Sequence, residues 1–244
     1  MTTAVRIPAY YEDRELVAGE DLARQPAFWL AHLRLTIGDP CEDAARYGVD
    51  ESAYEQIVER LSDHEQPWPV LRMPFAGGHT AYVVYANFED EGNVEFFVGH
   101  PGWGRLGFLG QYGVDQAGPG LSWAELTALA AAAPEGGEGL SDPAQRLLLL
   151  LPMLGDADVP ADAVDIVERA LTRCGFSADV AGALAAALDE PRVSEEKWLV
   201  GEDSPVPVCS SPHSPRRIPL ALGITPDQAR ALADALRGAH SALT

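Results

Sequence analysis

The chain has 244 residues, of which 47% are hydrophobic and 22% charged, so it is long and apolar enough to bury a sizeable core. Its formal net charge of −20 argues against nucleic acid and anionic membranes as partners, because Lys and Arg supply the affinity for both. An acidic surface favours a basic protein partner, although acidity can also serve solubility alone.

The charge is unevenly distributed along the chain. Residues 1–133 carry 20 acids and 8 bases, residues 134–200 carry 13 and 5, and residues 201–244 carry four of each. The excess of acidic residues therefore lies in the first two segments, residues 1–133 and 134–200. All bases except Lys197 are Arg, and together with the abundant Ala, Gly and Pro this composition is typical of a high-GC bacterial genome.

We expect the protein to be cytoplasmic. The stretch MTTAVRIPAYYEDRE lacks the apolar region of a secretory signal, and the aliphatic run Leu147 to Leu151 is too short to span a bilayer. Cys41, Cys174 and Cys209 are far apart in sequence and odd in number, which favours free thiols in a reducing compartment over a disulfide framework.

The first 65 residues are predicted to be helical. PAFWLAHLRLTI, residues 26–37, has helical apolar spacing and is followed by the stop signal Gly38-Asp39-Pro40. ESAYEQIVERL, residues 51–61, follows Asp50, which we expect to be its N-cap. Its apolar residues recur at i, i+3, i+4 and i+7, which indicates one buried face.

Four strands are predicted from residue 68 onward. WPVLRMPF, HTAYVVYANF, NVEFFVGH and GRLGFLGQY are rich in β-branched and aromatic residues and are separated by short turns. Short connections indicate an antiparallel meander, and the prolines of the first strand favour an edge position.

The third and fourth predicted strands are joined by a glycine-rich stretch, GHPGWGRLGFLGQYG, residues 99–113. Gly102, Gly104 and Gly107 match G-x-G-x-x-G, the dinucleotide-binding fingerprint. That fingerprint needs a helix that begins inside the turn, and the further glycines that follow disfavour a helix. We therefore predict a hairpin with a bent or bulged strand.

The second half is predicted to be helical. GPGLSWAELTALAAAA, residues 118–133, carries Ser122 and Glu125 at capping-box spacing. PEGGEG, residues 134–139, is the preferred boundary between an α+β domain, residues 1–133, and a helical segment, residues 140–244, packed on it.

Within that second segment, three helices are predicted over residues 141–154, 161–175 and 177–190. Pro143, Pro160 and Ser177 are typical of helix starts, and Gly175 is typical of the residue that follows a helix end. EKWLVG is predicted as a strand, SPVPVCSSPHSPRRIP as extended loop, and TPDQARALADALRGAHSAL as an amphipathic C-terminal helix.

The best candidate for a ligand site is the cluster His100, Trp103, Arg105 and Tyr112 around the glycine-rich turn. Imidazole, indole, guanidinium and phenol groups together are typical of recognition sites. In the alternative interpretation, the aromatic residues are packing groups and Arg105 pairs with an acid. For a protein partner, the turn acids Glu89, Asp90 and Glu91 are the candidate contact residues.

Signatures of catalysis and of metal binding are absent from the sequence. It contains no G-x-S-x-G, P-loop lysine or H-E-x-x-H motif, and neither H-x-x-x-H nor C-x-x-C spacing. We therefore expect no catalytic residue, no cofactor and no metal site.

The order of helices, meander and the stretch GPGLSWAEL, residues 118–126, resembles the SMI1/KNR4-like group of bacterial immunity proteins over about residues 50–133. The resemblance implies an α+β protein without catalysis that binds and neutralises a toxin enzyme.

The expected fold is α+β, an antiparallel β-meander flanked by helices and followed by a small helical segment and a C-terminal helix. The leading hypothesis is a cytosolic, non-catalytic binding protein, of immunity type, that masks a basic partner with an acidic surface. The alternative is a small enzyme or ligand-binding module that uses His100, Trp103 and Arg105.

Overall fold

The computed structural model describes residues 15–37, 43–63, 65–74, 78–88, 91–99, 101, 107–113, 122–131, 139–154, 159–189, 208–210 and 217–219. The strands are β1 Leu16–Ala18, β2 Trp68–Pro74, β3 Thr80–Phe88, β4 Glu91–Gly99, β5 Gly107–Gly113, β6 Val208–Ser210 and β7 Arg217–Pro219. The helices are α1 Pro26–Ile37, α2 Glu51–Ser62, α3 Trp123–Ala131, α4 Pro143–Leu150, α5 Ala163–Arg173 and α6 Ala178–Ala186. The predicted α+β class is confirmed.

The main sheet has five strands in the order β1-β2-β3-β4-β5. The predicted antiparallel meander is confirmed for β2 to β5. The first strand was not predicted, and it pairs in parallel with β2, so that Leu16 lies opposite Trp68 and Ala18 opposite Val70. The sheet is therefore mixed, and the predicted edge position of β2 is wrong.

Pro69 is tolerated in this interior strand because neither neighbouring strand requires a backbone N–H donor at that position. Towards β1, the backbone bonds use the residues on either side of it: the Trp68 N–H donates to Glu15 O at 3.0 Å, and Val70 O accepts from Gly19 N at 2.8 Å. Towards β3, the paired residues begin with Val70, directly after the proline. A proline is tolerated in a sheet where no ladder bond is lost.

The glycine-rich stretch leads from one strand into the next, as a hairpin requires. Val98 lies opposite Gly107, and β5 runs antiparallel to β4. The register shifts between Phe96 and Phe97, which lie opposite Gly110 and Phe108 and leave Leu109 as an extra residue. The predicted hairpin and bulged strand are thus confirmed, and a strand stands where a dinucleotide fingerprint would need a helix.

Four of the predicted helix signals are confirmed, at Asp50, Pro143, Gly175 and Ser177. The Asp50 side chain accepts from Ala53 N and caps α2, and Asp142 caps α4 with Pro143 in its first turn. Ser177 caps α6, and Gly175 follows the end of α5 at a φ of 101°. The segment predicted as extended loop contributes β6 and β7, which pair with each other.

The two faces of the sheet carry separate hydrophobic clusters. The first-face cluster joins α1 to α6 to the sheet through Leu71, Met73, Ala81, Val83, Tyr85, Val94 and Phe96. The second-face cluster consists of Leu16, Trp68, Val70, Val84 and Phe97, with Tyr82 packed against it. Residues 134–138 of the predicted domain boundary and the predicted C-terminal helix lie outside the described residues.

We expect Gly139→Ala to lower the free energy of unfolding by about 2–4 kcal/mol, through a strained φ and a steric clash. Gly139 has a φ of +93°, and an added Cβ would lie 2.7 Å from Arg72 O. That carbonyl accepts a hydrogen bond from Leu140 N, so it cannot move away freely. Urea denaturation gives the measurement.

Gly48→Ala is the matched control for this change. Gly48 has a φ of +69°, and an added Cβ would meet no atom within 4 Å, so its substitution should cost about 1 kcal/mol. Equal losses for the two variants would contradict the assignment of the Gly139 effect to the Arg72 contact.

Candidate functional site

The predicted ligand cluster falls largely on parts of the chain that the structure does not describe. His100, Trp103 and Arg105 lie outside the described residues. Tyr112 belongs to β5 and is paired with Val94 of β4. Of the predicted partner residues, Glu89 and Asp90 also lie outside, whereas Glu91 begins β4 opposite Phe88 of β3. Both sets of residues remain predictions.

The described acidic surface with the most regular geometry is one side of α2. We define the acidic face of α2 as Asp50, Glu51, Glu55 and Glu59, all of which are exposed. The three glutamates recur every four residues, so they form a stripe along one side of the helix. The opposite side is anchored in the core by Tyr54, Ile57 and Leu61.

The charges of this face repel one another, and this repulsion destabilises the helix. Glu51 interacts favourably with the helix N-terminus, but Glu51–Glu55 and Glu55–Glu59 are like-charge pairs at i, i+4, which cost about 0.2–0.5 kcal/mol each. Within the described residues, none of these three glutamates forms an ion pair. A row of exposed charges of one sign is a candidate contact surface for a basic partner.

Helix α5 shows how the same chain distributes charge elsewhere. Asp165 stands four residues before Arg169, which is the favourable order for a helical pair. Arg173 at its end lies 3.0 Å from the Asp142 carboxylate. The single sign of the α2 stripe is therefore a local feature of that helix, and the pattern E-x-x-x-E-x-x-x-E from residue 51 could have predicted it.

His32 is the most deeply buried titratable group on the first face, and it joins three elements. Its Nε2–H donates to Leu148 O at 2.8 Å, and its Nδ1 accepts from the Tyr85 hydroxyl at 2.7 Å. Phe28 and Trp29 enclose the ring. Burial lowers the pKa of His32 to about 4, so the imidazole is neutral near pH 7. Both ring nitrogens form hydrogen bonds within the core, so this histidine has a structural role.

Glu95 is a buried carboxyl group on the opposite side of the sheet. It lies in β4 between Val84 and Gln111 on the neighbouring strands, and it is only 4% exposed. Burial raises its pKa from 4.5 to about 8. The second face also holds an ion pair at its border, where Arg72 Nε lies 2.8 Å from Glu20 Oε1.

The described part of the chain offers little for other chemistry. It holds no group of three or more His, Cys, Asp or Glu residues arranged to bind a metal ion. Cys174 is a free, buried thiol, and burial raises its pKa to about 12, so it is not a thiolate near neutral pH. No helix there is both long and apolar enough to cross a bilayer.

Comparison with known proteins gave no relative: the chain matches no family model, no curated protein and no solved structure.

Proposed function

We propose that this chain is a cytosolic, non-catalytic binding protein that engages a basic protein partner with its acidic surface. The acidic face of α2 carries the proposal, because it places a row of exposed like charges on a helix anchored in the core. The excess of acids over residues 1–200 gives most of the chain the same sign. Charge of one sign steers an oppositely charged partner and accelerates association.

The specific form that we propose is immunity-type inhibition, in which the basic partner is a toxin enzyme. The support is the resemblance carried by GPGLSWAEL, residues 118–126. In this chain Trp123 and Leu126 of that stretch are buried in the first-face cluster and hold α3 against the core. Their part is therefore in packing, and the contact with the partner is assigned to exposed acids.

The test begins with co-purification from the native cell at low salt and identification of the partner. With both proteins purified, the triple variant Glu51→Gln, Glu55→Gln, Glu59→Gln should lower the association rate about tenfold, because steering depends on local charge. Its unfolding free energy should stay equal or rise slightly, since two repulsive pairs are removed. Stopped-flow association and urea denaturation provide the two measurements.

A control triple removes the same number of charges from the helical layer. Asp162 and Asp165 are exposed at the start of α5, and Asp189 is exposed three residues after the end of α6. Their change to Asn should leave the association rate within a factor of about two. The proposal fails if both triples slow association equally, if binding is indifferent to salt, or if no partner is recovered at low salt.

A further inference from the structure

The outer edge of β2 continues beyond the reach of β1. Gly19, the residue after β1, donates to Val70 O at 2.8 Å, so β1 and its end cover the first half of this edge. Carbonyl groups of alternate residues in a strand point to the same side. Arg72 O and Pro74 O therefore face outward as well, and they need donors from another part of the chain.

The start of the helical segment supplies both donors. Leu140 N donates to Arg72 O, and Arg146 Nη1 donates to Pro74 O at 3.2 Å. We define residues 139–146, which lead into α4 and form its first turn, as the edge strap. This strap continues the cover of β1 to the end of β2.

Arg146 is a charged residue at the start of an apolar run. It is only 1% exposed, and four consecutive buried leucines follow it in α4. Burial lowers the pKa of its guanidinium, and the charge of the Asp142 carboxylate opposes that shift. Burying a guanidinium is costly, and an apolar side chain would fill the same space without that cost. What the apolar side chain would not supply is a donor for the edge of the sheet.

A strand edge with bare carbonyl groups can pair with the edge of another chain, and two copies of one edge can pair about a two-fold axis. We propose that the edge strap prevents β2 from pairing with β2 of a second copy of the chain, and that Arg146 holds the strap in place. This role is independent of the proposed acidic interface on α2.

The experiment uses the full-length variant Arg146→Met, which keeps an unbranched apolar side chain and removes the donors. NMR hydrogen exchange of the Leu140 amide should become about tenfold faster or more, because its bond to the edge opens locally. The Trp68 amide, which donates to Glu15 O at the other end of the same edge, should stay within about twofold. In sedimentation velocity, the dissociation constant of the dimer should fall about tenfold or more below that of the wild type.

Two further variants separate opening of the strap from general destabilisation. Gly139→Ala places a Cβ 2.7 Å from Arg72 O, and it should give the same changes if Arg146→Met does not fold. Ile57→Ala leaves a cavity under α2, where Ile57 is buried. It should not speed exchange of the Leu140 amide relative to that of Trp68, and it should leave dimerisation within about twofold of the wild type.

A last variant locates the dimer contact. Ala18 is exposed at the end of β1, beside the stretch that the strap covers, and a lysine on a strand edge opposes pairing. Adding Ala18→Lys to the strap variants should therefore abolish their dimers. The proposal is overturned if the strap variants do not speed exchange at Leu140, if they do so without forming dimers, if Ile57→Ala promotes dimers equally, or if the dimers survive Ala18→Lys.

Discussion

Replacing Glu95 by Gln is expected to raise the free energy of unfolding by about 3 kcal/mol at pH 7, since one pKa unit corresponds to about 1.4 kcal/mol. The pKa of Glu95 is about 8 in the folded protein and 4.5 as its ordinary value. Between these values the native state binds a proton that the unfolded state has released. Stability is therefore lost as pH rises from 4.5 to 8, and Gln removes that loss.

The measurement is urea denaturation of wild type and variant from pH 4 to pH 9. The two proteins should differ little near pH 4, where Glu95 is protonated in both the folded and the unfolded state, and diverge as pH rises. Glu55→Gln changes an exposed glutamate of α2 and is the matched control, which should preserve the wild-type pH dependence. A lower stability of Glu95→Gln at pH 8 would show that the second face requires the carboxylate.

Local elements of the fold were predictable because their signals lie within a few residues. The N-cap Asp50 and the apolar residues of α2 stand within one short window, and the four strands of the meander are long enough to show their composition. Strand β1 was missed because Leu16–Ala18 is too short to show alternation. Its pairing with Trp68–Val70 depends on a contact across some fifty residues of chain.

The buried polar groups could not be predicted from the sequence, because their contacts are also with residues far away in the chain. His32 lies in a run of apolar residues that is buried on all sides, which marks α1 as a central helix in which a polar group needs partners. Its partners, Tyr85 and Leu148, are 53 and 116 residues away, so no spacing reveals them. The burial of Glu95 likewise depends on what covers the second face.

The second large effect is expected at His32, where the measurement is a double-mutant cycle with Tyr85. His32→Leu leaves the Tyr85 hydroxyl without its acceptor and removes one of the two hydrogen bonds of Leu148 O, which keeps the bond from Leu151 N. The change should cost about 2–4 kcal/mol, at about 1–3 kcal/mol for the unsatisfied hydroxyl and about 1 kcal/mol for the lost bond to Leu148 O. Tyr85→Phe alone removes the hydroxyl that donates to Nδ1 of His32 and should cost about 1–3 kcal/mol.

In the double variant the His32→Leu change has already removed the imidazole to which the hydroxyl would bond. Losing that hydroxyl then removes an unsatisfied group, so the two costs should fall short of additivity by about 1–3 kcal/mol. Additive losses would show that the bond between His32 and Tyr85 contributes nothing specific. Acid titration gives an independent readout of the same ring.

The pKa of His32 is about 4 in the folded protein against 6.5 as its ordinary value, so stability is lost as pH falls from 6.5 to 4. Glu95 has the opposite effect on stability, because its protonation stabilises the folded protein as pH falls from 6.5 to 4.5. The two effects should therefore nearly cancel in the wild type. In Glu95→Gln only the effect of His32 remains, so the free energy of unfolding should fall by about 3 kcal/mol as pH falls from 6.5 to 4. Adding His32→Leu should abolish it, because the imidazole whose burial resists protonation is then gone.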